Sequence, residues 1–235
     1  MRSTSETSYG ARIGNAEKLV AALQNFNGYQ AIKPEYSINA YTDLINTTKA
    51  QNTTVASKKQ TYSLAVDNRI QIFDKGELAI TKILSPINGA VKVSYGRTSK
   101  EATDVADIIA KIRGNNGKKS KTEESDEATV SQSYQSYNSK AQYFSDLIVN
   151  LTDFGQNYQP ANTALNTVGL TGIYTNAIAA NGEVMNTFTQ FAQNNNTRIE
   201  SYTLLSQTAI RIKDSVKAQY GFNSTEYSLI KGLRI

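Results

Sequence analysis

Val216-Lys217-Ala218-Gln219-Tyr220-Gly221-Phe222-Asn223-Ser224-Thr225-Glu226 decides the fold, because its skeleton occurs once before in the same chain. Val91-Lys92, Tyr95-Gly96, Ser99 and Glu101 stand at the same spacing, 125 residues upstream. Self-similarity at a fixed offset is the signature of a repeated structural unit. Working outward at this offset, Ile80, Leu84 and Ile87 meet Leu205, Ala209 and Ile212. Towards the N-terminus, Ala16, Leu19, Leu23 and Phe26 meet Ala141, Phe144, Ile148 and Leu151.

Between these blocks the offset becomes 129. Tyr41, Leu44, Asn52 and Val55 then fall on Leu170, Ile173, Asn181 and Val184, and Arg69-Ile70 on Arg198-Ile199. A four-residue insertion restores 125, and Asp74-Lys75-Gly76-Glu77 is the expected place. Pro34 and Pro160 pair approximately, each just before the second helix of its copy. The chain therefore divides by sequence into repeat 1 (1–114), a charged linker (115–136) and repeat 2 (137–235).

Every block steps by threes and fours, which is helical periodicity. The expectation is an all-α protein of two tandem helical-bundle repeats with long heptad-like helices, a pseudo-twofold relation being one arrangement of the pair. Each repeat reads as three helices and a short fourth. The first runs about Arg12–Phe26 and, in repeat 2, about Tyr137–Phe154. The second is long: Ile38, Tyr41, Ile45, Val55, Tyr62, Val66 and Phe73 predict about 55–60 Å if unbroken. The third carries Ile80, Leu84, Ile87 and Val91, or Tyr202, Leu205, Ala209, Ile212 and Val216. Pro86 predicts a kink or a late start in repeat 1.

The Tyr-Gly step reads as punctuation. Gly96 and Gly221 suit the positive-φ residue that ends a helix. Thr98 with Glu101, and Asn223 with Glu226, then read as an N-cap and its N3 partner. In the linker, Asn115-Asn116-Gly117 breaks helix; Lys118, Lys119 and Lys121 precede Glu123, Glu124, Asp126 and Glu127.

Composition removes whole classes of chemistry. The 235 residues include no Cys and no His, so imidazole bases, thiolate nucleophiles, disulfides and Cys/His metal sites are excluded. Hydrophobic residues make up 39% and charged residues 19%, a globular balance. The polar N-terminus and the absence of a long apolar run point to a cytoplasmic protein with no membrane partner. Net charge +5 permits an acidic partner without requiring one.

No phosphate loop, nucleophile elbow or metal spacing is present, so the chain reads as a non-enzyme without cofactor. Asp104 and Asp107 share a helix face with acid–base potential, but Val105, Ile108 and Ile109 mark the buried side, and a solvated surface is the preferred reading. Val168 through Ala180, rich in small residues, suits close helix packing better than membrane insertion.

Four residues stand out as a candidate interface. Asn52 and Asn181 lie on the seam, where an amide fixes register either inside the chain or in an assembly. Arg69 and Arg198 recur before an Ile; the preferred role is satisfying helix-terminal carbonyls, the other an acidic partner. A candidate basic patch comprises Lys92, Arg97, Lys213, Lys217, Lys231 and Arg234. It keeps nucleic acid open as a partner through helix-turn-helix surfaces, with Glu101, Asp104 and Asp107 against it.

Val216 through Gly221, with Ser224, Glu226 and Tyr227, resembles the C-terminal Tyr/Phe-Gly-x-x-Ser-x-x-Tyr motif of bacterial all-helical tandem-repeat proteins. Glu101-Ala102 departs from it, lacking the aromatic that Tyr227 supplies. The resemblance implies architecture and carries no activity. The function expected is that of a structural or scaffold protein, acting through self-assembly or protein–protein contacts.

Overall fold

A computed structural model describes residues 8–114 and 132–235, with side chains from 137 onward in the second segment. The described residues are all-helical, without a strand among them. Seven α-helices follow in order: α1 (Tyr9–Asn25), α2 (Ile38–Ile70), α3 (Ile80–Tyr95), α4 (Lys100–Ile112), α5 (Gln132–Asp153), α6 (Thr167–Tyr220) and α7 (Thr225–Ile230). The expected linker, 115–136, lies outside the described residues apart from the backbone that opens α5.

Short polar side chains set the starts of these helices. A hydroxyl or amide oxygen at the cap accepts an N–H that the first turn would leave orphaned. Ser8 does so for Ala11 at the head of α1 (3.1 Å), Ser37 for Ala40 in α2 (3.2 Å), and Asn166 for Gly169 in α6 (2.7 Å). After the two Tyr-Gly steps the caps are Ser99, accepting from Ala102, and Ser224, accepting from Tyr227, both at 3.1 Å. These lie one residue beyond the expected Thr98 and Asn223. Serine at that position already faces an N–H three residues on, and Glu101 and Glu226 then occupy the first turn, where a negative charge complements the helix dipole. Gly96 and Gly221 do have positive φ, +93° and +97°. With ψ at 155°, Gly96 sits in a region essentially reserved for glycine.

The expected insertion coincides with a change of winding. Gln71–Lys75 forms a π-helical turn after α2, closed by the Gly76 N–H on the Gln71 carbonyl at 2.7 Å. A side chain at 76 would place its Cβ 2.7 Å from that same oxygen, so the turn requires glycine. Residues 167–220 have no such break. There the expected second and third helices are one, the 54-residue α6. Pro86 does not delay α3 either: the helix begins at Ile80 and passes through it. An internal proline costs about 3 kcal/mol, and burial of Ile80, Ile83, Leu84, Ile87 and Val91 on one face offsets it. Pro34 opens a 3₁₀ turn, Pro34–Tyr36, ahead of α2 rather than α2 itself.

The chain forms two compact units. One comprises Met1–Gln60 with Thr189–Ile235; the other is Thr61–Phe188. The division falls within α2 and α6. It therefore differs from the sequence repeats 1–114 and 137–235, and each unit draws elements from both. In the first unit α1, the N-terminal part of α2, the C-terminal part of α6 and α7 enclose Ile13, Ala16, Leu19, Leu23, Tyr41, Ile45, Tyr202, Leu205, Ala209, Ile212, Val216 and Ile230. In the second, Phe73, α3 and α4 pack with α5 and the N-terminal part of α6 around Ile87, Val105, Ile109, Phe144, Leu147 and Leu170.

Candidate functional site

Where the four interface candidates fall, the structure has two arginine–aromatic clusters, one in each unit. In the first unit, the guanidinium of Arg198 on α6 lies 4.4 Å from the ring centre of Tyr9 on α1. Tyr9 packs against Tyr202, ring centres 4.4 Å apart, and the Arg12 guanidinium lies over the Tyr202 ring at 4.7 Å. Tyr202 is fully buried, so its hydroxyl must be satisfied internally. It donates to the Tyr9 carbonyl at 3.1 Å and accepts from the Asn52 amide at 2.7 Å. Arg12 also donates to the Tyr202 carbonyl, at 2.9 Å.

In the second unit Arg69, buried to 4% exposure, lies 4.3 Å from the ring centre of Tyr137 on α5. Tyr137 meets Phe73 edge-on at 4.8 Å and donates to Asp74 at 3.3 Å. Lys140 binds the other Asp74 oxygen at 3.0 Å. Burial and the neighbouring Asp74 charge both raise the Tyr137 hydroxyl above its ordinary pKa, Arg69 opposing them. Asn181 donates to Asn138, the residue that follows Tyr137, at 3.0 Å.

The two seam amides therefore bond within the chain, and the two arginines stack on aromatics. Arg198 sits far inside α6, so no helix end lies there to be capped. A guanidinium over a tyrosine face is worth about 0.5–2 kcal/mol, the larger value where water is excluded. Sequence reading found the arginines but missed Tyr9, Arg12, Tyr202 and Tyr137. The signal was available: the offset of 129 places Phe73 on Tyr202, and both repeats carry aromatics near the start of the first helix.

The basic candidates divide between the two units. Lys92 and Arg97 belong to the second unit, and Lys213, Lys217, Lys231 and Arg234 to the first. Lys213 donates to the Leu233 carbonyl, and burial lowers its pKa. Lys217 lies over the rings of Phe222 and Tyr227, at 5.3 and 6.0 Å. Arg97, Lys231 and Arg234 are exposed. Asp104 pairs with Lys100, raising the pKa of that lysine, and Asp107 faces solvent.

Among the described residues no group of three or more acidic side chains could hold a metal ion, and no helix is long and apolar enough to cross a membrane. The concave surfaces are open grooves. In the second unit one of about 310 Å³ is lined by Ile72, Leu78, Ala79 and Ile173 together with Gln71, Gly76 and Asn176. What these features define, among the described residues, is an all-helical protein. No protein-family model, curated protein or solved structure matches the chain.

Proposed function

We propose that the chain is an internal duplication of one helical unit, the copies related by a pseudo-twofold, and that it works as a non-enzymatic scaffold in the cytoplasm through self-association. Support for the duplication is the serial agreement of the two offsets, extended by equivalent caps: Ser37 with Asn166, and Ser99 with Ser224. The observation that carries self-association is the exposure of large apolar side chains on α6. Ile178, Met185 and Phe188 are 45%, 50% and 43% exposed in the second unit, while Ile199, Leu204 and Ile210 are exposed in the first. Single exposed apolar residues need no explanation. Ile178 and Met185 are seven apart and Ile199 and Ile210 eleven apart, so each pair shares one helix face.

Native mass spectrometry of protein from its own cells, with sedimentation across a wide concentration range, tests this reading. The expected result is a reversible oligomer that Ile178→Lys with Met185→Lys weakens roughly tenfold or more. A chain that stays monomeric throughout and carries no protein partner contradicts it. Nucleic-acid binding has less support, because Lys213 and Lys217 already face groups within the chain. Duplex binding that falls steeply with salt would move the preference to it.

A further inference from the structure

An asparagine side chain can turn on its own backbone most readily where glycine follows, because a residue without a Cβ leaves the next peptide nitrogen open to close approach. The sequence has four such steps, at Asn27, Asn88, Asn116 and Asn181. Asn116 lies outside the described residues. Asn88 and Asn181 lie within α3 and α6, where the Gly89 and Gly182 N–H groups belong to the helical ladder, and Asn181 is also tied to Asn138. The remaining step differs in every respect. α1 ends at Asn25, and Asn27-Gly28 forms an exposed turn with Gly28 at φ +75°. Among the described residues none hydrogen-bonds the Asn27 side chain or the Gly28 N–H. Beyond the chain neighbours, no atom stands within 4 Å of the place a Gly28 Cβ would take.

The carbonyls of this turn, by contrast, are held by the end of α6. The Tyr220 hydroxyl donates to the Asn27 carbonyl at 3.0 Å, and the Gln219 amide donates to the Gly28 carbonyl at 2.6 Å. Gln219 also accepts from the Gln30 N–H at 3.2 Å, and Tyr220 meets Phe26 edge-on at 5.8 Å.

We propose that Asn27 is a self-modification site of the folded chain, deamidated through a cyclic imide closed by Gly28 and promoted by the Tyr220 hydroxyl. A solvent base takes the Gly28 amide proton, and the electron pair left on that nitrogen forms a bond to Asn27 Cγ. The Cγ–Nδ2 bond breaks, and ammonia leaves with a proton from solvent. One water then opens the imide, at Cγ to give aspartate or at the main-chain carbonyl carbon to give isoaspartate. The net change is amide and water to carboxylate and ammonium. Negative charge in the first step is shared with the Asn27 carbonyl oxygen, since nitrogen and oxygen belong to one resonant peptide group. That oxygen accepts from Tyr220, and a hydrogen bond strengthens when its acceptor becomes charged. Desolvation, with Glu226 adding to it, raises the Tyr220 pKa, so the hydroxyl keeps its proton in mildly alkaline solution. Isoaspartate makes the main chain one carbon longer, so Gly28 and Gln30 no longer both meet Gln219.

The test ages the folded full-length protein at several mildly alkaline pH values. Each Asn-Gly step is followed by peptide mapping with fragmentation that separates aspartate from isoaspartate. Asn27 is expected to convert at least about tenfold faster than Asn88 and Asn181, because a helical step must first open locally. Its rate should rise in proportion to hydroxide, with isoaspartate among the products. Tyr220→Phe keeps the ring against Phe26. It should slow Asn27 about fivefold, the difference between a hydrogen bond to a charged and to a neutral acceptor, and leave Asn88 and Asn181 unchanged. The isoaspartate form, isolated by its added charge, should unfold at lower urea than Asn27→Asp, which has the charge without the extra carbon. Conversion at Asn27 no faster than in the helices, or to aspartate alone, overturns the site. An unchanged or faster rate in Tyr220→Phe overturns the part given to its hydroxyl, and equal urea midpoints overturn the loss of the Gln219 contacts.

Discussion

Tyr202→Ala is expected to destabilise the first unit by about 3–5 kcal/mol, the range for deleting a buried aromatic. The side chain is 1% exposed and is the point at which α1, α2 and α6 meet. Its ring contacts both Tyr9 and Arg12, so truncation removes both contacts and the acceptor of the Asn52 amide. Tyr202→Phe isolates the hydroxyl. The ring contacts survive, but the Asn52 amide loses its acceptor and the Tyr9 carbonyl its donor. About 1–3 kcal/mol is expected for leaving such groups unpaired. Asn52→Ala combined with Tyr202→Phe should cost less than the two separate losses added, because one change already removes what the other would break. Urea midpoints at unchanged slope measure all four proteins. Strict additivity would mean that the Asn52–Tyr202 hydrogen bond contributes nothing.

Alkaline pH is the second large perturbation. Each unit buries a tyrosine whose hydroxyl donates to a backbone carbonyl: Tyr41 to Leu205 at 3.4 Å, and Tyr158 to Leu165 at 2.8 Å. A carbonyl cannot donate to a phenolate, and burial disfavours the charge. Burial pushes Tyr158 up to about 12 and raises Tyr41 as well. The ordinary phenol ionises near 10 in the unfolded chain. Both groups therefore contribute stability that is fully present below pH 10 and is lost as pH rises towards the folded values. For Tyr158 the loss is about 2–3 kcal/mol between pH 10 and 12, at roughly 1.4 kcal/mol per unit. Lys213 acts in the opposite sense. Its pKa is lowered by burial, so the cost of holding its charge is relieved as pH rises towards 10.5. The two tyrosines outweigh it above that point. Between pH 6 and 9 stability should stay flat, since the chain has no histidine to titrate there. Denaturation midpoints against pH check this, and Tyr158→Phe should flatten part of the alkaline fall. A steep change near pH 7 would contradict the assignment.

The same residues show how far the sequence could be read. Three-and-four stepping reports which face of a helix is buried, and the stripes Ile80–Val91 and Tyr202–Val216 are buried as that pattern requires. The pattern does not say against which partner the face is buried. Leu19 and Leu23 could cover the stripe Ile80–Val91 or the stripe Tyr202–Val216, because both present an apolar face at the same spacing. The structure places them with Leu205 and Ile212, on the far side of residues 115–131. The continuity of α6 had a local signal, since residues 199–204 contain neither Gly nor Pro while repeat 1 has Gly76. Reading the second and third helices as separate in both repeats carried a break from one copy into the other. The arginines were legible as recurrent residues. Their aromatic partners recur as well, but the recurrence does not say which ring each arginine meets, because a stack on Tyr9 or Tyr137 is a contact between residues more than sixty apart in sequence.

The central claim is that neither half of the chain folds into a unit without the other. Cleavage tests it directly: a site-specific protease sequence is inserted between Gly114 and Gln132 of the full-length chain, and the folded protein is cut there. Native mass spectrometry and circular dichroism should then show the two pieces held together one to one, with helicity unchanged, and loss of helicity in both when denaturant separates them. Two pieces that part without denaturant, each keeping its helicity and a cooperative unfolding transition, would contradict the account.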